Sequence, residues 1–275
     1  MKRKALVVAA VLFAITVAMG LALWVRGGES NLPVLWRQGE EPPLYDYEIV
    51  ARYPHDPAAF TQGLVYQGDG ILYEGTGLRG ASSLREVSLA TGAVLRRYDL
   101  DAAYFGEGIA VAGDRIVQLT WTSGTAFVYD RHTFRPLGQH SYVGEGWGLT
   151  HDGRRLIMSD GTSTLRFWDP ETLEEIGRVQ VVDGEAQVEN LNELEYVRGE
   201  VWANVWQTDR IARIDPGSGR VVGWIDLTGL LADEDRGGRR VDVLNGIAYE
   251  ASTGRVFVTG KLWPVLYEIR VVRRG

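Results

Sequence analysis

Five times along this chain a polar or aromatic residue stands directly before a Gly-Leu, Gly-Ile or Glu-Leu pair, and no other feature restricts the fold as much. The residues are Gln62, Glu107, Trp147, Asn192 and Asn245, in FTQGLVY, FGEGIAV, GEGWGLT, LNELEY and LNGIAY. A second set, Gly77, Trp121, Gly161, Trp206 and Lys261, follows 14 to 16 residues later in each unit, after a strand-like run. The apolar residues of the pairs, Leu64, Ile109, Leu149, Leu194 and Ile247, are spaced by 45, 40, 45 and 53 residues. That is the period of a four-stranded propeller blade. Short apolar or alternating runs separated by Gly, Asp and Asn turns make each unit a series of antiparallel strands, without an amphipathic helix of ordinary length. The third-to-fourth hairpin is visible in LREVSLATGAVLRRYDL, FVYDRHTFRPLG, LRFWDPETLEEIGRV and IARIDPGSGRVVGWIDL.

The fifth unit supplies LNGIAYE, RVFVTG and VLYEIRVV and lacks a strand. Residues 46–53, DYEIVARY, are a spare strand ahead of the first unit. The sequence therefore predicts an all-β, five-bladed propeller, its ring closed by this N-terminal strand pairing into the last blade. Closure removes sheet edges that would otherwise recruit other chains. An apolar share of 45% over 275 residues can fill one large domain, taken as residues 46–275, and a monomer is expected.

Ahead of that domain, Lys2, Arg3 and Lys4 precede an uncharged apolar run at residues 5–25, ended by Arg26. This is the layout of an export signal, and the run is long enough to span a bilayer. Residues 1–26 are read as a signal or membrane anchor, with Ala18-Met19-Gly20 as the alternative cleavage site, and residues 27–45 as a tether. The folded part is then extracytoplasmic, periplasmic or secreted, and meets the membrane only through that segment. The net charge of −7, with no basic stripe, argues against nucleic acid as a partner. Absence of cysteine excludes disulfides, thiolate metal sites and a cysteine nucleophile.

In a closed radial array equivalent positions meet around one axis, so the two sets become two circles at one mouth. Polar residues near an axis also serve only to satisfy backbone groups or water, and tryptophans only to pack between blades. Here a carboxylate, a lysine, a glutamine, two asparagines and three tryptophans converge. Oxygens of Glu107, Asn192 and Asn245 suit a hard divalent cation such as calcium. A lone carboxylate walled by Trp121, Trp147 and Trp206 has its pKa raised toward neutrality, which suits proton transfer. The tryptophans also suit a cage for a small cation such as a peptide's N-terminal ammonium. The motifs G-x-S-x-G, H-E-x-x-H and the Walker loop are absent, and His55, His132, His140 and His151 fall in turns without metal-ligand spacing, so they are read as surface residues.

Taken in order, YPHDPAAFTQGLVY, YFGEG, EGWGL, SDGTS, LNELEY, GEVWANVWQTDRIARI, DVLNGIA and VFVTGKLWP resemble the plant-type glutaminyl-peptide cyclotransferase family, which also has bacterial members. The resemblance spans residues 47–270 and implies a five-bladed propeller unrelated to the zinc-dependent animal-type cyclases. It implies conversion of the N-terminal glutamine of peptides and proteins to pyroglutamate with release of ammonia. The family's acid/base glutamate falls on Glu107, and its substrate-contacting positions fall on Phe60, Gln62, Trp121, Trp147, Asn192, Trp206 and Lys261, with Lys261 suited to stabilising an oxyanion. No cofactor is implied for the chemistry, and a structural calcium in the central channel is left open with no ligands mapped. The departures are the apolar N-terminal segment and a charged insert at residues 232–240. Two other readings stand beside this one: a metal-dependent propeller hydrolase, such as a lactonase, and a non-catalytic propeller that binds peptide termini.

Overall fold

The computed structural model describes residues 41–275; the expected signal or anchor segment, and the tether up to residue 40, lie outside them. The first antiparallel sheet runs through β2 (Thr61–Gly68), β3 (Ile71–Thr76), β4 (Ser83–Ser88) and β5 (Val94–Asp99). The second comprises β6 (Gly106–Ala112), β7 (Arg115–Thr120), β8 (Thr125–Asp130) and β9 (Pro136–Ser141), and the third β10 (Leu149–His151), β11 (Leu156–Ser159), β12 (Thr164–Trp168) and β13 (Glu175–Gln180). A small hairpin, β14 (Val182–Asp183) and β15 (Ala186–Gln187), precedes the fourth unit. That unit holds β16 (Leu191–Val197), β17 (Glu200–Val205), β18 (Arg210–Ile214) and β19 (Val221–Asp226). The last holds β20 (Leu244–Glu250), β21 (Arg255–Gly260) and β22 (Val265–Arg273), and it is completed by β1 (Leu44–Pro54).

The last two units form one eight-stranded sheet, ordered β16-β17-β18-β19-β1-β22-β21-β20. The join between them is thin. β19 meets β1 through the parallel pairs Leu44↔Trp224 and Tyr45↔Ile225, whereas β1 pairs antiparallel with β22 from Tyr45↔Arg273 to Pro54↔Val265. DYEIVARY thus pairs into the last unit as expected, and the strands outside this sheet form three four-stranded sheets and the small hairpin. The tether is shorter than expected: Trp224 donates its backbone N–H to the Pro43 carbonyl at 2.9 Å, which draws Leu44 and Tyr45 into the sheet. The inner strands touch in a cycle, β2 to β6, β6 to β10, β10 to β16, β16 to β20, and β20 back to β2.

Because both faces of each sheet are covered, the core consists of separate clusters, each shared by neighbouring units. Leu64 and Leu72 pack with Ala248 and Phe257 of the last unit, and Tyr73 and Leu84 pack with Ile109 and Ile116 of the second. Leu149 and Met158 meet Val117 and Leu119, Leu194 and Ala203 meet Ile157 and Leu165, and Ile247 and Val258 meet Ile211 and Ile225. Each of the Leu, Ile, Val, Met and Phe side chains among these stabilises the fold by about 1.5–3 kcal/mol.

Where the other units carry Gly63, Gly108, Gly148 and Gly246, the fourth carries Glu193. A glycine lets the inner strands close together: a Cβ on Gly148 would overlap the Asn192 carbonyl. Glu193 reaches across the axis instead, where Oε1 accepts the Leu64 N–H at 3.2 Å and Oε2 accepts the Ile247 N–H at 2.8 Å.

The expectation of surface histidines in turns fails at three of the four: His140 lies on β9 and His151 on β10, both half-buried. His55 is buried, with Nδ1 2.7 Å from the Trp263 carbonyl and Nε2 3.0 Å from Glu74 Oε1. Both partners accept, so the ring donates twice as an imidazolium. Burial pulls its pKa down, but the Glu74 carboxylate and the Trp263 carbonyl outweigh that and hold it above the ordinary value. The reason for the burial is long-range: the end of β1 tucks between the first and last units, whose residues cover a turn that looks exposed in sequence.

Candidate active site

The inner strands begin at one end of the axis, and there a cavity of about 260 Å³ opens. Every expected site residue lines it. Phe60 and Gln62 come from the start of β2, Glu107 from β6, Trp121 from the end of β7 and Trp147 from just before β10. Asn192 lies on β16, Trp206 follows β17 and Lys261 follows β21. A cavity of this size is smaller than a drug-sized pocket and suits a single residue. Asn245 does not line it. It stands behind, donating Nδ2 to the Thr61 carbonyl at 3.0 Å and to Gln62 Oε1 at 3.3 Å.

Gln62 passes that order on, since its Nε2 donates to Glu107 Oε1 at 3.1 Å. Glu107 is only 4% exposed. Burial pushes its pKa well above the ordinary carboxylate range, Lys261 pulls it back down, and Glu145 pushes it further up. No ion pair joins Glu107 to Lys261; their influence on each other acts through space. Lys261 Nζ lies 5.0 Å from the centre of the Phe60 ring, and burial lowers its pKa while Glu107 and Asp242 raise it. Asn192 Oδ1 is buried with no partner, which leaves a free acceptor on the cavity wall.

The aromatic wall is a continuous arc. Phe60 meets Phe105 edge-on at 6.1 Å, Phe105 meets Trp121 at 5.6 Å, and Trp147 meets Trp206 at 5.5 Å. Glu145 bridges the gap: its Oε2 accepts Nε1–H from Trp121 at 2.7 Å and from Trp147 at 2.8 Å. The arc also explains the glycines in the second set. A Cβ on Gly77 would overlap the Phe105 ring, and one on Gly161 would lie 2.7 Å from the Trp147 ring. Those rings occupy the space that a side chain would need.

Phe105, Glu145 and Asp242 belong to the site and were not anticipated. Phe105 and Glu145 had a signal in the repeat, because each stands two residues before its ring residue, as Phe60 stands before Gln62. Asp242 lies in the connection between the last two units, outside the repeat.

The glutamine cyclotransferase family model matches residues 17–271. The chain belongs to the glutamine cyclotransferase family. It is 46% identical over 255 residues to a glutaminyl-peptide cyclotransferase of Arabidopsis thaliana, which covers 90% of this chain and 76% of that protein. Among solved structures, the glutaminyl cyclase of Myxococcus xanthus matches with a TM-score of 0.79 at 39% identity, over 86% of this chain and 100% of that chain.

At the axis of this cyclotransferase-family chain, Asn192 Oδ1 and Asn245 Oδ1 are buried without a partner, while Glu107 Oε1 accepts from Gln62. Among the described residues no three Asp, Glu or His side chains converge to hold a metal. Glu107 is the one carboxylate in the ring, and both oxygens of Glu193 already accept backbone N–H groups. Calcium takes six to eight oxygens, commonly several carboxylates. No chemical step is therefore routed through a metal.

Proposed function

We propose that this chain converts the N-terminal glutamine of peptides and proteins to pyroglutamate with release of ammonia. The observation that carries the reading is a buried, hydrogen-bonded carboxylate, Glu107, in a cavity sized for one residue. Family membership points the same way. The substrate's α-amine attacks its own side-chain amide carbon, forming the ring C–N bond and a tetrahedral oxyanion. Glu107 takes the proton that the attacking nitrogen loses and passes it to the amide nitrogen. The old C–N bond then breaks and ammonia leaves, with atoms and charge in balance.

A free α-amine titrates at about 7.7–8.0, so a carboxylate held well above the ordinary range by burial takes a proton from it at a lower cost than a solvent-exposed one. Such transfer is worth about 10²- to 10⁴-fold. Lys261 supplies positive charge to the oxyanion, and Asn192 Oδ1 accepts an N–H of the amine. The arc of Phe60, Phe105, Trp121, Trp147 and Trp206 folds the glutamine side chain toward its amine and keeps water from the amide.

The cationic start and apolar run of residues 1–26 support an extracytoplasmic site of action, with the folded domain carried as a monomer on a signal or anchor. Among the described residues no helix is long and apolar enough to cross a membrane. Incubating the full chain with a Gln-initiated peptide tests the activity. Ammonia release with a mass loss of about 17 Da, that of ammonia, is expected; no change in either sinks the reading, and loss of activity to a chelator favours the metal-dependent alternative.

A further inference from the structure

The charged insert at residues 232–240 sorts its charges onto different partners. It folds as a single helical turn, Asp233–Arg236, ended by Gly237 at φ 60°. Asp235 faces the body of the domain and accepts Arg52 Nε at 3.0 Å and the Tyr267 hydroxyl at 2.8 Å. Arg236, Arg239 and Arg240 line a separate cleft of about 570 Å³ together with Trp206, Gln207 and Asp242. Trp206 and Asp242 line the active-site cavity as well, so the cleft adjoins that cavity.

These arginines are uncompensated. Among the described residues no carboxylate comes within ion-pair distance of any of the three, and Arg236 Nε is buried without a hydrogen-bond partner. Asp242 is the one carboxylate on the cleft wall. Most of the arginines that line the groove of about 440 Å³ beside β17 and β21 are paired, although Arg198 there donates to the Tyr249 hydroxyl instead. There Arg213 makes two 2.8 Å bonds to Glu200, and Arg255 pairs with Glu250 and Glu268. Arg236 is half-buried while Arg239 and Arg240 are exposed and open to an incoming ligand, and a guanidinium fork matches a carboxylate bidentately.

The proposed function places the first residue of a peptide in the cavity and sends the rest out through the mouth, each further residue advancing by about 3.3–3.6 Å. Resting on that reading, we infer that the arginine cleft is a subsite for a carboxylate carried one or two residues after the N-terminal glutamine. Peptides with Asp or Glu at the second or third position are the substrates it selects. The C-terminal carboxylate of a tripeptide offers the same chemistry.

The test uses the full chain and C-terminally amidated pentapeptides that begin with Gln and carry Glu or Gln at position two or three. Glu is expected to raise kcat/KM by about fivefold over Gln, mostly through KM, and about 0.5 M salt should erase the gain by shortening the screening length. Comparison of a Gln-initiated tripeptide as free acid and as amide shows whether the terminal carboxylate serves as well. The double variant Arg239→Glu with Arg240→Glu should turn the preference from Glu toward Lys, which mere loss of structure does not do. Equal kcat/KM for the Glu and Gln peptides, in a chain that cyclises both, overturns the subsite. Failure to cyclise any of them overturns the proposed function, and the subsite falls with it.

Discussion

Under the proposed chemistry, Glu107 and Lys261 divide one cavity between a proton carrier and a fixed charge, and each alters the titration of the other. Glu107→Gln keeps size and the hydrogen bond from Gln62 but cannot carry a proton. It should lower kcat by about 10²-fold or more while the melting temperature holds; near-normal ammonia release from the folded variant refutes the role. The acidic limb of kcat/KM should lie well above the ordinary carboxylate range, because Glu107 must be ionised to accept the proton and burial raises its pKa. Lys261→Met removes the group that pulls that pKa down, so the limb should move further up in pH. It should also cut plateau kcat with little change in KM, since the charge matters mainly in the transition state. A shifted limb with an unchanged plateau would reduce Lys261 to a tuner of Glu107.

At the scale of elements, the segment that joins β1 to β2 is a clasp. His55 holds the Trp263 carbonyl, its own N–H donates to the Pro264 carbonyl at 3.0 Å, and the Leu262 N–H donates to the Ala59 carbonyl at 2.7 Å. The same segment carries Phe60 and so ties Lys261 to its aromatic neighbour. Glu74, within the first unit, also accepts the Thr61 hydroxyl at 2.8 Å and lies 3.8 Å from Arg85. Burial raises the Glu74 pKa, yet His55 and Arg85 outweigh burial and hold it below the ordinary value. The His55 contribution is full below its unfolded pKa of about 6.5 and is lost as pH rises through its raised folded value. The Glu74 contribution is present above its unfolded pKa and is lost as pH falls through its lowered folded one. The melting-temperature gap between wild type and His55→Gln should therefore be widest between those limits and narrow on the alkaline side; a gap that grows with pH contradicts the imidazolium assignment. None of this was legible in YPHDP, because burial of a turn depends on units far away in sequence. The strands themselves were legible, since period and turn chemistry are local.

For the whole molecule, the axis below the cavity carries two buried carboxyl groups, Glu193 and Glu195. Glu195 accepts the Tyr249 N–H at 2.9 Å, and burial pushes its pKa up to about 8, against the pull of its hydrogen bonds. Burial and the neighbouring Glu195 raise Glu193 as well. A carboxyl raised on folding contributes stability below its unfolded pKa that is lost as pH climbs to the folded one. Wild-type stability should fall between about pH 5 and 8, and Glu195→Gln should flatten that fall; an unchanged slope would clear Glu195 of it. The circular plan and seven of the cavity residues, Gln62, Glu107, Trp121, Trp147, Asn192, Trp206 and Lys261, could be read from the repeat because rotation brings equivalent positions together. The arginine cleft and Asp242 could not, because they sit in a connection that no other unit copies. Glu193 could be seen as the exception to four glycines, but only its reach to Leu64 and Ile247 reveals what the exception does. A ring of strands ordinarily has two doors, and here the Glu193 side chain, tied to both β2 and β20, stands in the passage between them. Under the proposed chemistry, ammonia that leaves by the door the peptide entered has to pass the chain that released it.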